Sequence, residues 1–211
     1  ARQQSRRELL GSLDALGSAL SGNPRFAQTN ESQEKAYDLI LGDGRKLFDL
    51  SQETKELRDQ YGRSTFGQSC LMARRLVEAG VPYVTINYGG WDTHKQHFEN
   101  MRRKLPEMDK GMGTLLEDLA QRGLLESTIV WWGGEFGRTP MVEIRKTSDP
   151  DNAGRDHHPL GYTMFAAGGG VRGGHVVGKT DDIGFNIVED KVHIHDLQAT
   201  LLKCLGFDHT R

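Results

Sequence analysis

Residues 81–88 read VPYVTINY, a β-branched and aromatic run that predicts a strand. Downstream, Phe98, Met101, Leu105, Met108, Met112, Leu115 and Leu119 recur at spacings of three and four. That is the period of an amphipathic helix, kinked or restarted at Pro106 and stopped at Gly123. Residues 128–132, TIVWW, then give a second strand. Strand, long helix, strand is a βαβ unit, so the two strands are expected to be parallel and joined by a right-handed crossover.

Working outward, Phe66, Cys70, Ala73 and Val77 mark one face of a helix that Gly80 terminates. Further upstream, Leu9, Leu13, Leu16 and Leu20 have helical spacing, and residues 31–41 and 53–61 are shorter helical candidates. Between Gly133 and Gly161 there is no helical period. Residues 162–167, YTMFAA, give a third strand, which lacks a crossover helix and should therefore run antiparallel. A last helix is expected over 195–205, with Leu197, Leu201, Leu202 and Leu205 inward. The resulting organisation is a helical N-terminal segment, residues 1–62, and an α/β domain, residues 63–211.

The 211 residues carry 27 Lys plus Arg against 29 acidic groups, a formal net charge of −2. Nothing in that balance draws the chain to nucleic acid or an anionic membrane. No apolar run approaches the roughly 18 residues of a membrane span. Cys70 and Cys204 sit in helical apolar patterns and read as buried free thiols. The first residues, ARQQSRR, lack an initiator Met and an apolar signal core, so the chain reads as part of a longer protein.

Three polar clusters fall beside the predicted strands: GGWDTH (89–94), GGEFGRTP (133–140) and GRDHHP (154–159). Loops beyond the carboxyl ends of parallel strands are where open α/β sheets bind ligands. Carboxylates and imidazoles converging from separate loops suit a divalent metal. The expected ligands are Asp92, His94, Glu135, Asp156, His157 and His158. Each has a structural alternative. Asp92 could cap a helix starting near Thr93, His94 and His97 could lie on that helix's surface, and Glu135 could pair with Arg138. His193 and His195 precede a helix that Asp196 is expected to cap. Residues 173–180, GGHVVGKT, satisfy the phosphate-loop pattern, but the following DDIG is turn chemistry where that loop needs a helix, so nucleotide binding is not adopted.

The stretches ARRLVEAGV (73–81), GGWDTH (89–94), DLAQRGLLESTIVWWGGEFGRTP (118–140), GRDHHPLGYTMFAAGGGVRGG (154–174) and HDLQATLLKCLGFDHT (195–210) closely resemble a bacterial family called domain of unknown function 1501. That family is related to the alkaline phosphatase and sulfatase superfamily. The resemblance implies a three-layer α/β/α sandwich of alkaline phosphatase-like type, with a mainly parallel sheet, an antiparallel strand and an N-terminal helical segment. It also implies that this chain is the C-terminal half, and that the protein is periplasmic or exported. Asp92 with His94 or His97 resembles one metal pair of the superfamily, and His157 or His158 a later ligand. Where the superfamily usually has Asp-His, this chain has Glu135-Phe136. The first metal-binding Asp and the Ser/Thr nucleophile are expected in the missing N-terminal half.

The leading expectation is a metal-dependent hydrolase of phosphate or sulfate esters, small or glycan-borne. Arg138 would neutralise charge on the ester oxygens, and the divalent ion would be Zn, Ca or Mg. The alternative is a non-catalytic binding or scaffold domain with a degenerate metal site.

Overall fold

The computed structural model describes Gln4, Ser5, Glu8 and residues 42–134, 136–143 and 153–210. The expected helices over residues 9–20 and 31–41 lie outside the described residues. The chain divides into two compact units, Ala1–Gln52 and Glu53–Arg211. In the first, Gln4, Ser5 and Glu8 are helical, and two 3₁₀ turns follow at Asp43–Phe48 and Leu50–Gln52.

The second unit opens with three helices, α1 (Lys55–Tyr61), α2 (Thr65–Glu78) and α3 (His97–Gln121). Thr54 and Ser64 cap α1 and α2, each hydroxyl accepting the amide of the third residue on. Helix α2 buries Phe66, Cys70, Leu71 and Ala73, and α3 answers with Leu115 and Leu119. Each fully buried leucine contributes about 1.5–3 kcal/mol. Two glycines allow the helices to meet closely. A Cβ at Gly67 would collide with the Tyr61 carbonyl, and one at Gly111 would sit 3.1 Å from the Phe66 ring. Pro106 lies inside α3, which runs unbroken as one 25-residue helix.

Arg74 crosses this apolar seam with its side chain 2% exposed. Its Nη2 lies 2.8 Å from Glu53 and its Nε 3.0 Å from Asp118, and Nη1 pairs with Glu78. The first two nitrogens are at ion-pair distance without the alignment of a hydrogen bond. Arg75 adds a second cation to Glu53, Arg122 bridges Asp118 and Glu78, and the Tyr61 hydroxyl donates to Asp118 at 2.9 Å. Burial first, and then the Asp118 charge, push the Tyr61 phenol far above its ordinary pKa. Cys70 is a buried free thiol whose pKa burial raises to about 12, and Cys204 is a half-buried free thiol.

The strands are short: β1 (Val130–Trp132), β2 (Gly137–Glu143), β3 (Gly154–His158), β4 (Phe165–Ala167), β5 (Lys179–Thr180) and β6 (Ile187–Glu189). Among the described residues they form three two-stranded antiparallel sheets, β1–β4, β2–β3 and β5–β6. Pairing β4 with β1 puts Ala166 opposite Trp131, and it is the antiparallel pairing expected of the 162–167 segment.

Residues 81–88 differ from expectation. They are irregular with a bend at Pro82, with Val84, Ile86 and Tyr88 half-buried and Tyr83, Thr85 and Asn87 exposed, and among the described residues they form no strand and do not pair with β1. A β-branched run supplies the propensity, but a strand also needs a neighbour for its amides and carbonyls. Conversely, residues 154–158, expected as a loop, form β3. Their side chains are poor strand formers, and the ladder to β2 imposes the conformation. The last helix, α4 (Ile194–Cys204), has a reciprocal cap in which Asp196 accepts the His193 amide at 2.8 Å and the His193 ring accepts the His195 amide. Lys179–Thr180 is strand β5 and opens no helix, so the phosphate-loop pattern lacks the geometry that would give it meaning.

Candidate metal centre

The loop after residues 81–88 is pinned before it reaches the site. Tyr88 stacks on Phe66 with ring centroids 4.3 Å apart and meets Trp91 edge-on. Lys104 lies over both rings and donates to the Gly89 carbonyl at 2.7 Å. Trp91 is thus a loop anchor.

Residues 93–97 then run along the start of β3. The Arg155 amide donates to the Thr93 carbonyl at 3.3 Å, the His97 amide donates to Ala153 at 3.2 Å, and Lys95 bridges to Ala153. A Cβ on Gly154 would collide with the His94 backbone, so only glycine lets the two segments lie this close. Gln96 closes the loop with φ 49°, a left-handed conformation uncommon for a residue with a Cβ.

The Thr93 amide closes a tight turn on the Trp91 carbonyl at 2.9 Å, which leaves the Asp92 and His94 side chains in contact with each other and the Thr93 hydroxyl against His97. On β3, His157 takes one face, and Asp156 and His158 take the opposite one. The β2–β3 register places Arg138 directly across from His157.

Three of these side chains converge on a single oxygen of the fourth. Asp92 Oδ1 lies 2.9 Å from His94 Nε2, 2.9 Å from His157 Nε2 and 2.7 Å from Arg138 Nη2. The ligand atoms of Asp92, His94 and His157 all lie within 4.8 Å of one another. The two imidazoles have centroids 5.0 Å apart, and the Phe136 ring packs against His157 at 4.5 Å. Arg138 also donates to the Arg155 carbonyl at 3.3 Å. The His157 contact first, then Arg138, holds the Asp92 carboxyl at about 2, well below the usual carboxylate range. It is therefore ionised at any physiological pH, as a metal ligand must be.

The remaining expected ligands fall elsewhere. His158 is 3% exposed, shares a 2.8 Å hydrogen bond with the Phe185 carbonyl through Nε2 and stacks on the Phe185 ring. It ties β3 to the β5–β6 hairpin. Asp156 accepts the His157 amide at 2.8 Å and is exposed. Glu135 lies outside the described residues. We expect His158→Ala to cost about 2 kcal/mol in chemical denaturation, through the lost hydrogen bond and buried ring, and to leave metal uptake unchanged. Loss of metal with full stability would instead place His158 at the site.

Thr93 and His97 were not singled out together by the sequence, yet their Oγ1 and Nδ1 are 2.6 Å apart and Thr93 is buried. Burial first, then the charges of Arg155 and Arg138, lower the His97 pKa, so the ring is neutral at pH 7. This pair braces the loop from beneath. No local pattern in the sequence marks this pair, because it depends on how the turn at 91–93 folds.

The sequence model of the family described as "Protein of unknown function (DUF1501)" matches residues 1–211. The chain belongs to the DUF1501 family. No curated protein and no solved structure matches it significantly. The three-donor cluster of this DUF1501 chain is thus read from its own geometry. Among the described residues, no helix is long and apolar enough to cross a membrane.

Proposed function

We propose that Asp92, His94 and His157 hold a divalent metal, and that the site serves the hydrolysis of phosphate or sulfate esters. The observation that carries this is the meeting of two imidazole nitrogens and one carboxylate oxygen, contributed by segments 65 residues apart in the chain. Two imidazoles and a carboxylate are a donor set that fits zinc better than the oxygen-seeking Ca²⁺ or Mg²⁺. An ion held there would polarise an ester oxygen and lower the pKa of a hydroxyl or water.

The chain's own groups have distinct tasks in this reading. Asp92 fixes both imidazoles through one oxygen. Arg138, with forked donors beside that oxygen, binds the non-bridging oxygens of the ester. Phe136 packs on His157 and limits its rotation. The Thr93 hydroxyl is engaged with His97 on the far side of the loop, so it is not assigned as a nucleophile. The alkaline phosphatase-like three-layer architecture and the exported setting belong to the same proposal. In that architecture the 81–88 run, which has no strand partner among the described residues, is where a parallel neighbour would dock.

Elemental analysis, followed by assays on aryl phosphates and aryl sulfates with several divalent ions using protein that also contains the half expected to carry the nucleophile, tests the proposal; residues 1–211 alone are expected to be inactive or nearly so. Near-stoichiometric zinc with ester hydrolysis supports it. A second reading, a binding or scaffold domain, is favoured by the saturation of Asp92 Oδ1, since carboxylate, guanidinium and imidazoles already form a closed polar cluster. Bound metal with no turnover of any ester would favour that alternative. Absence of metal would remove both the hydrolase and the metal-site readings.

A further inference from the structure

A carboxylate oxygen has two lone-pair sites, yet Asp92 Oδ1 faces three partners: Arg138 and the rings of His94 and His157. Each imidazole can keep its place and exchange the Nε2 proton that faces Asp92 for a cation, the proton moving to Nδ1 or leaving to solvent. Arg138 and a cation oppose one another. At Oδ1 they compete for the same lone pair, although Oδ2 offers two more, and both carry positive charge, so each weakens the other's hold on the carboxylate.

Arg138 has a second set of anchors that do not involve Asp92. Its Nη1 donates to the Arg155 carbonyl at 3.3 Å, its guanidinium lies 5.9 Å from the Phe136 ring centroid, and its backbone is fixed opposite His157. Losing the contact with Asp92 therefore frees one arm of the guanidinium while the group stays at the rim. The other nearby guanidinium, Arg155, is committed to the face of Phe98 at 4.8 Å. Arg138 is the one positioned to change partners.

Resting on the metal reading above, we propose that Arg138 is a latch that couples cation and oxyanion binding. It occupies Asp92 until a divalent cation takes that carboxylate, and the released arm then binds the oxygens of a phosphate or sulfate group. An oxyanion gives Arg138 a replacement partner and offsets its repulsion of the cation. Each ligand therefore strengthens the other, by the same factor in both directions.

Zinc affinity of the full chain, measured by competition with a chromophoric chelator with and without inorganic sulfate, tests the latch. Wild type is expected to bind zinc about tenfold more tightly in saturating sulfate, within the usual range of such couplings. Arg138→Gln is expected to bind zinc about tenfold more tightly than wild type without sulfate, and to lose the response to sulfate. Arg138→Lys keeps the charge but not the fork, so it retains weak zinc binding and loses most of the sulfate response. It carries the test if the glutamine variant fails to fold. Weaker zinc binding by Arg138→Gln, or an undiminished sulfate response, overturns the latch and leaves the metal site standing. No zinc uptake by wild type overturns the metal site and the latch with it.

Discussion

Asp92→Ala is expected to abolish stoichiometric zinc uptake, lowering affinity by more than about 100-fold. Substitutions of residues that only support a metal ligand cost about 10–100-fold, and Asp92 would be both a ligand and the group that orients the other two. Its removal also leaves Arg138, His94 and His157 facing one another without a counter-charge, which opposes any cation. His157→Ala removes one donor but spares the Asp92–His94 contact, so a weakened site is expected instead of none. Competition titration and elemental analysis measure both variants. Wild-type zinc content in each would end the metal proposal, whatever the fold.

The second large effect concerns stability. Arg74→Met should lower unfolding free energy by about 3–5 kcal/mol, because removing one partner of a buried ion pair strands the others. Asp118 keeps Tyr61 and Arg122, and Glu53 keeps Arg75, but both lose the cation that lies between them. For a domain of this size the melting midpoint should fall on the order of 10 °C. A variant melting within about 2 °C of wild type would show that the network contributes little.

The same network gives a pH signature. Burial raises the Glu53 carboxyl, but hydrogen bonds and charge from Arg75 and Arg74 outweigh it and hold its pKa below the ordinary glutamate value. A depressed carboxylate contributes stability that is complete above its unfolded pKa and fades as pH falls through the folded one. Wild type should therefore lose stability on acidification below about pH 4.5, and Arg74→Met should lose less, since part of that contribution is already gone.

The helices were legible because their causes are local. Phe66, Cys70, Ala73 and Val77 lie on one face whatever else the chain does, and Asp196 closes the first turn of the last helix by accepting the His193 amide. Pro106 misled in part: the spacing across it is unbroken, and so is the helix. The strands were less legible. VPYVTINY has the composition of a strand and no strand partner among the described residues, whereas GRTPMVE and GRDHH have the composition of loops and pair with each other.

The site divides along the same line. Sequence alone nominated Asp92, His94, His157 and Arg138 by chemical type, and it nominated Asp156 and His158 equally, since neighbours in a DHH run look alike. Only the pleat of β3 separates them, turning His157 toward Asp92 and His158 toward Phe185. Helix positions and capping follow from interactions a few residues apart, so the sequence determined them by itself. Strand pairing, register and the convergence on Asp92 Oδ1 depend on contacts between residues tens of positions apart, and only the tertiary structure decided those.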